Sequence, residues 1–116
     1  KSSDGHFYTS ASIDDNPIKF LIDTGATKTI LSLKDARAAG VNISKLVYDS
    51  PMRTANGVAY SATYQVDNFN WLEKDFGPVN IKITDGKLFS SLLGMDIIDK
   101  SETFLISGDL LQVSFN

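Results

Sequence analysis

The chain has 116 residues, the size of a single domain, and 42% of them are hydrophobic, which is enough for a buried core. Its net charge of -3 at pH 7 argues against a nucleic-acid partner, because such partners require a basic surface. The lack of cysteine excludes disulfides, thiolate catalysis and sulfur-ligated zinc, and the single histidine, His6, excludes a multi-histidine metal cluster within one chain. We therefore expect no metal and no other cofactor, and catalysis that relies on carboxylates, hydroxyls, lysines or backbone groups.

The N-terminal part of the chain predicts a β-hairpin. Residues 7–13 and 18–22 have the composition of strands, and residues 14–17 (Asp-Asp-Asn-Pro) have the composition of a turn. The second strand leads into residues 23–26 (Asp-Thr-Gly-Ala), after which an apolar run resumes at residues 29–31. The tetrapeptide is therefore predicted to lie in a loop between two strands.

A short helix is predicted directly after this loop. Ser32 and Asp35 have the spacing of a capping box, in which each residue satisfies a backbone N–H of the other. The alanines that follow favour a helix over residues 33–39, and Gly40 is a typical stop.

The rest of the chain predicts further strands and one more short helix. The pair Asn56-Gly57 favours the type I′ turn of a second hairpin, and its outgoing arm, residues 58–66, alternates between two faces. The remaining predicted elements are a strand over 79–84, a short helix over 95–100, and two final strands over 103–107 and 110–115. Many short strands joined by Gly- and Asp-rich turns indicate a single mostly β domain over residues 1–116, either a sandwich or a barrel.

Asp23 is the candidate catalytic residue. It lies at the end of an apolar strand beside a small hydroxyl residue and a glycine, which lets a backbone or a substrate approach closely. Asp-Thr-Gly alone is weak evidence, because chance gives the tripeptide in about one chain in fifty of this length. For the tripeptide alone, a turn with an exposed aspartate is the better explanation. The flanking strands, the downstream hairpin and the later Leu92-Leu93-Gly94 favour a functional role.

These features together resemble one protein family. The stretch FLIDTGATKTILS at residues 20–32, the hairpin with a glycine near its tip, and Leu-Leu-Gly followed by a short helix are similar to the retropepsin-like aspartic proteases, in particular their single-domain bacterial members of the rickettsial type. The resemblance covers residues 6–115 in element order. It implies a mostly β, retropepsin-like closed barrel or sandwich with one or two short helices.

The resemblance also implies roles for individual residues. Asp23 would be catalytic, Thr24 would hydrogen-bond across a two-fold axis, and Gly25 would lie beside the substrate backbone. Ala26 stands where many two-lobed relatives have serine; the carboxylate then lacks one hydrogen-bond donor, and we expect activity to reach into mildly acidic pH. The tip of a substrate-covering flap would be formed by Ala55, Asn56 and Gly57. A structural motif, Leu92, Leu93 and Gly94, would complete the site.

A single Asp-Thr-Gly requires a second chain. Aspartic proteolysis needs two carboxylates that share a proton, so that one activates water while the other binds the peptide carbonyl. This chain has one such tripeptide and is too short for the two-lobed form. We therefore expect a symmetric homodimer that hydrolyses an extended peptide or protein substrate at two copies of Asp23. The alternative is a catalytically silent dimerisation or peptide-binding module; an unrelated β domain would leave the later motifs unexplained.

Two features leave the strength of the dimer open. Viral members often pair an aspartate and an arginine in support of the dimer, and this chain has Thr27 and Met95 at those places. Both partners are absent together, so no unpaired buried charge results. Residues 110–115 either interleave at the dimer interface, which we favour, or complete the chain's own sheet with residues 103–107.

Other residues are assigned structural roles. Asp96 and Asp99 are expected on the solvated surface or as local caps, and Phe69 and Trp71 are expected to pack under the base of the flap.

The location of the protein in the cell is left open by the sequence. No run approaches the roughly 18 apolar residues that span a membrane, no signal peptide is visible, and the sequence begins at Lys1 rather than at methionine. By resemblance to bacterial relatives, a soluble domain released from a membrane-anchored precursor by an N-terminal cut is an expectation.

Overall fold

The computed structural model describes residues 1–54 and 57–115. Its described elements include eleven strands, two α-helices and a short 3-10 helix at Ile43–Lys45. The α-helices are α1 (Leu33–Ala38) and α2 (Met95–Ile98). The strands are β1 (Tyr8–Ile13), β2 (Asn16–Ile22), β3 (Ile30–Leu31), β4 (Ser50–Thr54), β5 (Gly57–Val66), β6 (Phe69–Trp71), β7 (Lys74–Asp75), β8 (Val79–Thr84), β9 (Ser91–Leu93), β10 (Thr103–Ser107) and β11 (Leu110–Ser114).

Nine strands form one sheet in the order β4-β5-β8-β3-β9-β2-β1-β6-β7, and β10 and β11 form a separate two-stranded sheet. The prediction of a mostly β fold with two short helices is confirmed. Of the two predicted forms, a barrel or a sandwich, the structure has the sandwich: the nine-stranded sheet of the described residues does not close into a barrel. The physical reason lies at the two edges: β7 has only two residues, and β4 belongs to a hairpin whose outer part is exposed, so neither edge offers the other a full-length partner.

The first hairpin has a tighter turn than the sequence predicts. Asp14 and Asp15 have positive φ angles of 48° and 70°, and Ile13 pairs with Asn16 across them. Both central residues of a type I′ turn require positive φ, and aspartate tolerates this conformation. Asn16 and Pro17 therefore begin β2 instead of lying in the turn.

The core lies between the sheet, helix α1 and the C-terminal hairpin. Phe20, Phe69 and Trp71 are among its largest buried side chains. Phe69 and Trp71 lie on β6, next to β1 and at the opposite end of the sheet order from the β4–β5 hairpin. The prediction that they pack under the flap base is therefore wrong. Trp71 instead packs edge-on against Phe115, with ring centroids 5.7 Å apart, and its indole N–H donates to the Thr9 hydroxyl.

The C-terminal hairpin pairs within its own chain. Strand β11 pairs with β10 along its whole length, from Thr103↔Ser114 to Ser107↔Leu110. Of the two alternatives for these residues, the structure has the intrachain one. One side of the hairpin packs on the core through Phe104, Leu111 and Val113. Leu105 and Leu110 are exposed on the opposite side, and Ile106, which pairs with Leu111, is exposed on the core-facing side.

Helix α1 begins at the predicted cap. The Ser32 hydroxyl accepts a hydrogen bond from the Asp35 N–H at 3.1 Å, as a capping box requires. The Asp35 carboxylate does not bond the Ser32 N–H directly. The Ser91 hydroxyl of β9 bridges the two groups: it accepts from the Ser32 N–H at 3.0 Å and donates to the Asp35 carboxylate at 2.5 Å. The start of α1 is thereby tied to β9.

Neither helix in the described part of the chain has the length and apolarity to cross a membrane.

Candidate active site

The loop that carries Asp23 connects two strands that are not neighbours. Strand β9 lies between β2 and β3, pairing in parallel with β2 (Ile22↔Leu93) and antiparallel with β3 (Ile30↔Leu92). The loop over residues 23–29 must therefore cross the end of β9. This crossing brings the Asp-Thr-Gly sequence directly over the Leu-Leu-Gly motif, so that the Asp23 N–H bonds to Leu93, 70 residues later in the chain.

Asp23 is held by both its backbone and its side chain. Its N–H donates to the Leu93 carbonyl at 3.0 Å, and its own carbonyl accepts from the Ala26 N–H at 3.1 Å. The Gly25 N–H donates to the carboxylate oxygen Oδ1 at 2.9 Å. A backbone N–H bonded to a carboxylate is a strong, directional interaction. The half-buried carboxylate therefore has a defined position at the mouth of the loop.

Gly25 lies in a tight position, and Gly94 in one that leaves no space for a side chain. A Cβ at Gly25 would lie 3.2 Å from the Asp23 Oδ1 and would crowd the carboxylate. A Cβ at Gly94 would lie 2.6 Å from the carbonyl carbon and oxygen of Lys28, closer than real Cβ atoms approach a backbone. The loop rests on this bare backbone, and the Met95 N–H donates to the Ala26 carbonyl at 2.8 Å.

Asp96 has a role that the sequence reasoning missed. Its carboxylate accepts from the Thr29 N–H at 3.0 Å, from the Thr29 hydroxyl at 2.8 Å, and from the Ile97 N–H at 2.9 Å. Thr29 is fully buried, and its hydroxyl also accepts from the Gly94 N–H at 3.1 Å. Asp96 thus binds the end of the loop over residues 23–29 to α2. The prediction of a solvated residue or a purely local cap is therefore wrong. Asp99 is exposed, as predicted.

A cleft of about 630 Å³ opens above Asp23. Its walls are formed by the loop over residues 23–29, by β4, and by single residues of β3, β5, β8 and β9. The described residues that line it are Asp23, Gly25, Ala26, Thr27, Lys28, Ile30, Ser50, Pro51, Met52, Arg53, Ser61, Lys82, Leu88 and Leu92.

Four of the predicted site residues line this cleft: Asp23, Gly25, Ala26 and Leu92. Leu92 lines it, and the buried Leu93 and Gly94 support the loop from below. Thr24 is exposed at the top of the loop and does not line the cleft.

The β4–β5 hairpin forms one side of the cleft. Its register pairs Thr54 with Gly57, so Gly57 belongs to β5 instead of lying at the centre of the turn, where it was predicted. Gly57 has a φ of 115°, a conformation that favours glycine. The other two predicted flap residues, Ala55 and Asn56, lie outside the described residues.

Comparisons with known sequences find a matching family model and two uncharacterized relatives. A family model described as gag-polyprotein putative aspartyl protease matches residues 9–100. An uncharacterized protein from Rickettsia prowazekii (strain Madrid E) is 35% identical over 115 residues, and an uncharacterized protein in the cobV 5′ region of Sinorhizobium sp. is 34% identical over 119 residues. The matches cover 99% and 97% of this chain and 49% of each relative, so the chain spans about half the length of the curated relatives it matches.

Solved structures agree on the fold. A retropepsin-like aspartic protease from Rickettsia conorii matches with a TM-score of 0.88 at 35% identity, over 96% of this chain and 92% of that one. The EIAV protease complexed with the inhibitor HBY-793 matches at 0.70 and 17% identity, over 85% and 90%. The retroviral protease-like domain of Ddi1 from Leishmania major matches at 0.62 and 14% identity, over 96% and 94%. The last two matches show the fold alone.

The fold and the Asp-Thr-Gly loop together define the retropepsin-like aspartic protease class. The residues that the family model matches include both Asp23, which begins the loop, and Gly94, on which the loop rests. The chain belongs to the gag-polyprotein putative aspartyl protease family.

The anchoring role of Asp96 makes a prediction about stability. Asp96→Ala removes the acceptor of three hydrogen bonds, two of them from the buried Thr29, and should lower the free energy of unfolding by about 1–3 kcal/mol. Urea denaturation measures the change. The matched control is Asp99→Ala, which removes an exposed carboxylate from the end of the same helix and should cost less than about 0.5 kcal/mol. Equal losses in the two variants would contradict the anchoring role.

Proposed function

We propose that the chain is an aspartic endopeptidase that acts as a symmetric homodimer and cleaves extended peptide segments. The observation that carries the proposal is the carboxylate of Asp23, fixed by the Gly25 N–H at the base of an open cleft. One chain supplies one such carboxylate, and the reaction needs two. A second copy related by a two-fold axis supplies the other.

The chemistry follows from two carboxylates that share one proton. The ionised carboxylate takes a proton from water as the water oxygen attacks the peptide carbonyl, and the protonated carboxyl donates a hydrogen bond to the developing oxyanion. A proton is then delivered to the leaving nitrogen as the carbon–nitrogen bond breaks. Proton balance is kept within the pair, so neither metal nor cofactor takes part in the proposed reaction.

The edge strand β4 is suited to hold the substrate. It is the last strand of the nine-stranded sheet, so one of its edges is open to an added strand, and Pro51, Met52 and Arg53 line the cleft. A peptide bound as an extra strand gains backbone hydrogen bonds, and its alternate side chains point towards the cleft. The proposed substrate is therefore an unfolded or extended segment of a protein.

Two surfaces of the single chain support dimerisation. Thr24 is exposed at the top of the catalytic loop, where a hydroxyl can bond its symmetry mate. Leu105 and Leu110 form an exposed hydrophobic face on one side of the C-terminal hairpin, and Ile106 is exposed on the other. Because Thr27 and Met95 provide no ion pair, the proposed dimer depends on such apolar and hydroxyl contacts, and its formation should depend on concentration.

The first prediction for this function concerns the catalytic carboxylate. Asp23→Asn should lower the rate of peptide cleavage at least about a thousandfold, because an amide can neither take a proton from water nor share one with its mate. A mixed peptide library analysed by mass spectrometry gives the rates, and circular dichroism verifies that the variant is folded. Asp99→Asn, at an exposed carboxylate outside the cleft, should cleave at the normal rate. Peptide binding without cleavage in both the native protein and Asp23→Asn would favour a silent binding module instead.

A second prediction concerns the pH range of activity. Ala26 offers no side-chain hydroxyl beside the carboxylate pair, whereas serine offers a donor that stabilises the ionised form. Ala26→Ser supplies that donor and should move the pH–rate profile of cleavage to lower pH. The profile of kcat/KM against pH measures this shift. A native profile confined to strongly acidic pH, or a shift to higher pH in Ala26→Ser, would contradict the argument.

A further inference from the structure

The charge of the cleft is opposite to that of the chain. The whole chain carries a net charge of -3 at pH 7. The residues that line the cleft nevertheless include three cations, Lys28, Arg53 and Lys82. Among the described residues, Asp23 is the one acidic side chain in that lining. A cleft lined mostly by one sign of charge concentrates ligands of the opposite sign.

The three cations approach the cleft from three different elements. Lys28 lies on the catalytic loop, where its backbone contacts Gly94. Arg53 lies on the edge strand β4. Lys82 lies on β8, where it pairs with Ile30 on one side and Thr63 on the other. An extended peptide bound along the cleft therefore has a cation on more than one side of it.

Lys82 is the most informative of the three. It is half-buried, and its Nζ donates to the Thr63 hydroxyl at 2.7 Å. That partner is neutral, so it orients the ammonium group without cancelling its charge. A solvated face would explain the exposed Lys28 and Arg53, since long cationic side chains are common on surfaces. Lys82 differs from them because a neutral hydroxyl orients its ammonium group, and Asp23 is the one carboxylate in the described lining of the cleft, so the charge of Lys82 is available to a negatively charged ligand.

The rest of the lining is mainly apolar close to Asp23. Ala26, Ile30 and Leu92 surround the base of the cleft, and Pro51, Met52 and Leu88 extend it. This pattern suits a peptide with apolar side chains beside the scissile bond and carboxylate side chains farther from it. Alternate residues of an extended strand lie on the same face, so both kinds of side chain can enter the cleft together.

We propose that the cleft selects peptides that carry Glu or Asp on both sides of the scissile bond, at positions bound by Lys28, Arg53 and Lys82. The proposal rests on the proposed homodimeric protease. A two-fold axis places the same three cations on each half of the binding site, so the preference for a carboxylate occurs at symmetry-related positions before and after the cleaved bond.

The test compares eight-residue peptide libraries in which a single position carries either Glu or Gln. Glu and Gln are nearly equal in size, so the ratio of their kcat/KM values isolates the effect of charge. At pH 6 and low salt, Glu should be favoured about twofold to fivefold at one or more positions on each side of the bond, as expected of partly exposed ion pairs. The ratio should fall towards one in 1 M salt, which screens such pairs, and at pH 3.5, where the glutamate is largely protonated.

Variants assign the preference to the cleft. Lys82→Met keeps the length of the side chain without its charge and should bring the ratio at one pair of symmetry-related positions to about one, whatever its effect on the rate for the Gln peptides. Arg53→Gln and Lys28→Gln should do the same at other positions. Lys74→Met is the matched control, because Lys74 is an exposed lysine on β7 at the other end of the sheet. It should leave all ratios unchanged.

A binding measurement keeps this proposal separate from the proposed function. Fluorescein-labelled Glu and Gln libraries are titrated with Asp23→Asn, and fluorescence anisotropy gives the dissociation constants. Tighter binding of the Glu libraries, lost in Asp23→Asn/Lys82→Met, would support the acidic preference even if the native protein cleaved nothing. Equal affinities and equal cleavage rates at every position, or a preference that persists in all three charge variants, would overturn it.

Discussion

The backbone of Gly94 passes so close beneath the loop over residues 23–29 that no side chain can lie between them. The carbonyl group of Lys28 occupies the place where a Cβ at this position would be, at 2.6 Å. This approach depends on β9 lying between β2 and β3, because the loop that joins those two strands must then cross the end of β9. The position of Asp23, the shape of the cleft and the direction in which α2 leaves the loop all follow from this crossing.

The contacts around the crossing stabilise the loop at both ends. Near its start, the Asp23 N–H bonds to the Leu93 carbonyl, and near its end the buried Thr29 bonds to Asp96 and to the Gly94 N–H. These bonds join residues more than 60 positions apart in the chain. In the proposed dimer, where two carboxylates face each other at short range, this rigid support matters because small displacements of catalytic groups reduce the rate strongly. The same crossing leaves the top of the loop, with Thr24, at the surface.

The sequence predicts the parts of this molecule that depend on local patterns. Alternating strands, the cap of α1 at Ser32 and the loop around Asp23 can be read from residues that are neighbours in the chain. The roles of Ser91 and Asp96 cannot, because each depends on a partner 56 or more residues away and on the register that brings the two together. The sequence also does not show whether the edge strands β4 and β7 meet, because that depends on the summed twist of all nine strands of the sheet. The charge of the cleft is likewise invisible, since its three cations lie on separate elements.

The central claim is that one chain holds half of an active site. Native protein and Asp23→Asn, mixed in varying proportion at a fixed total concentration high enough for dimers and allowed to exchange subunits, test it most directly. If two copies of Asp23 are required, activity falls with the square of the native fraction, and an equal mixture has about one quarter of the activity of the undiluted native protein. A linear fall, with about one half of the activity in the equal mixture, would mean that each chain acts alone and would contradict the account.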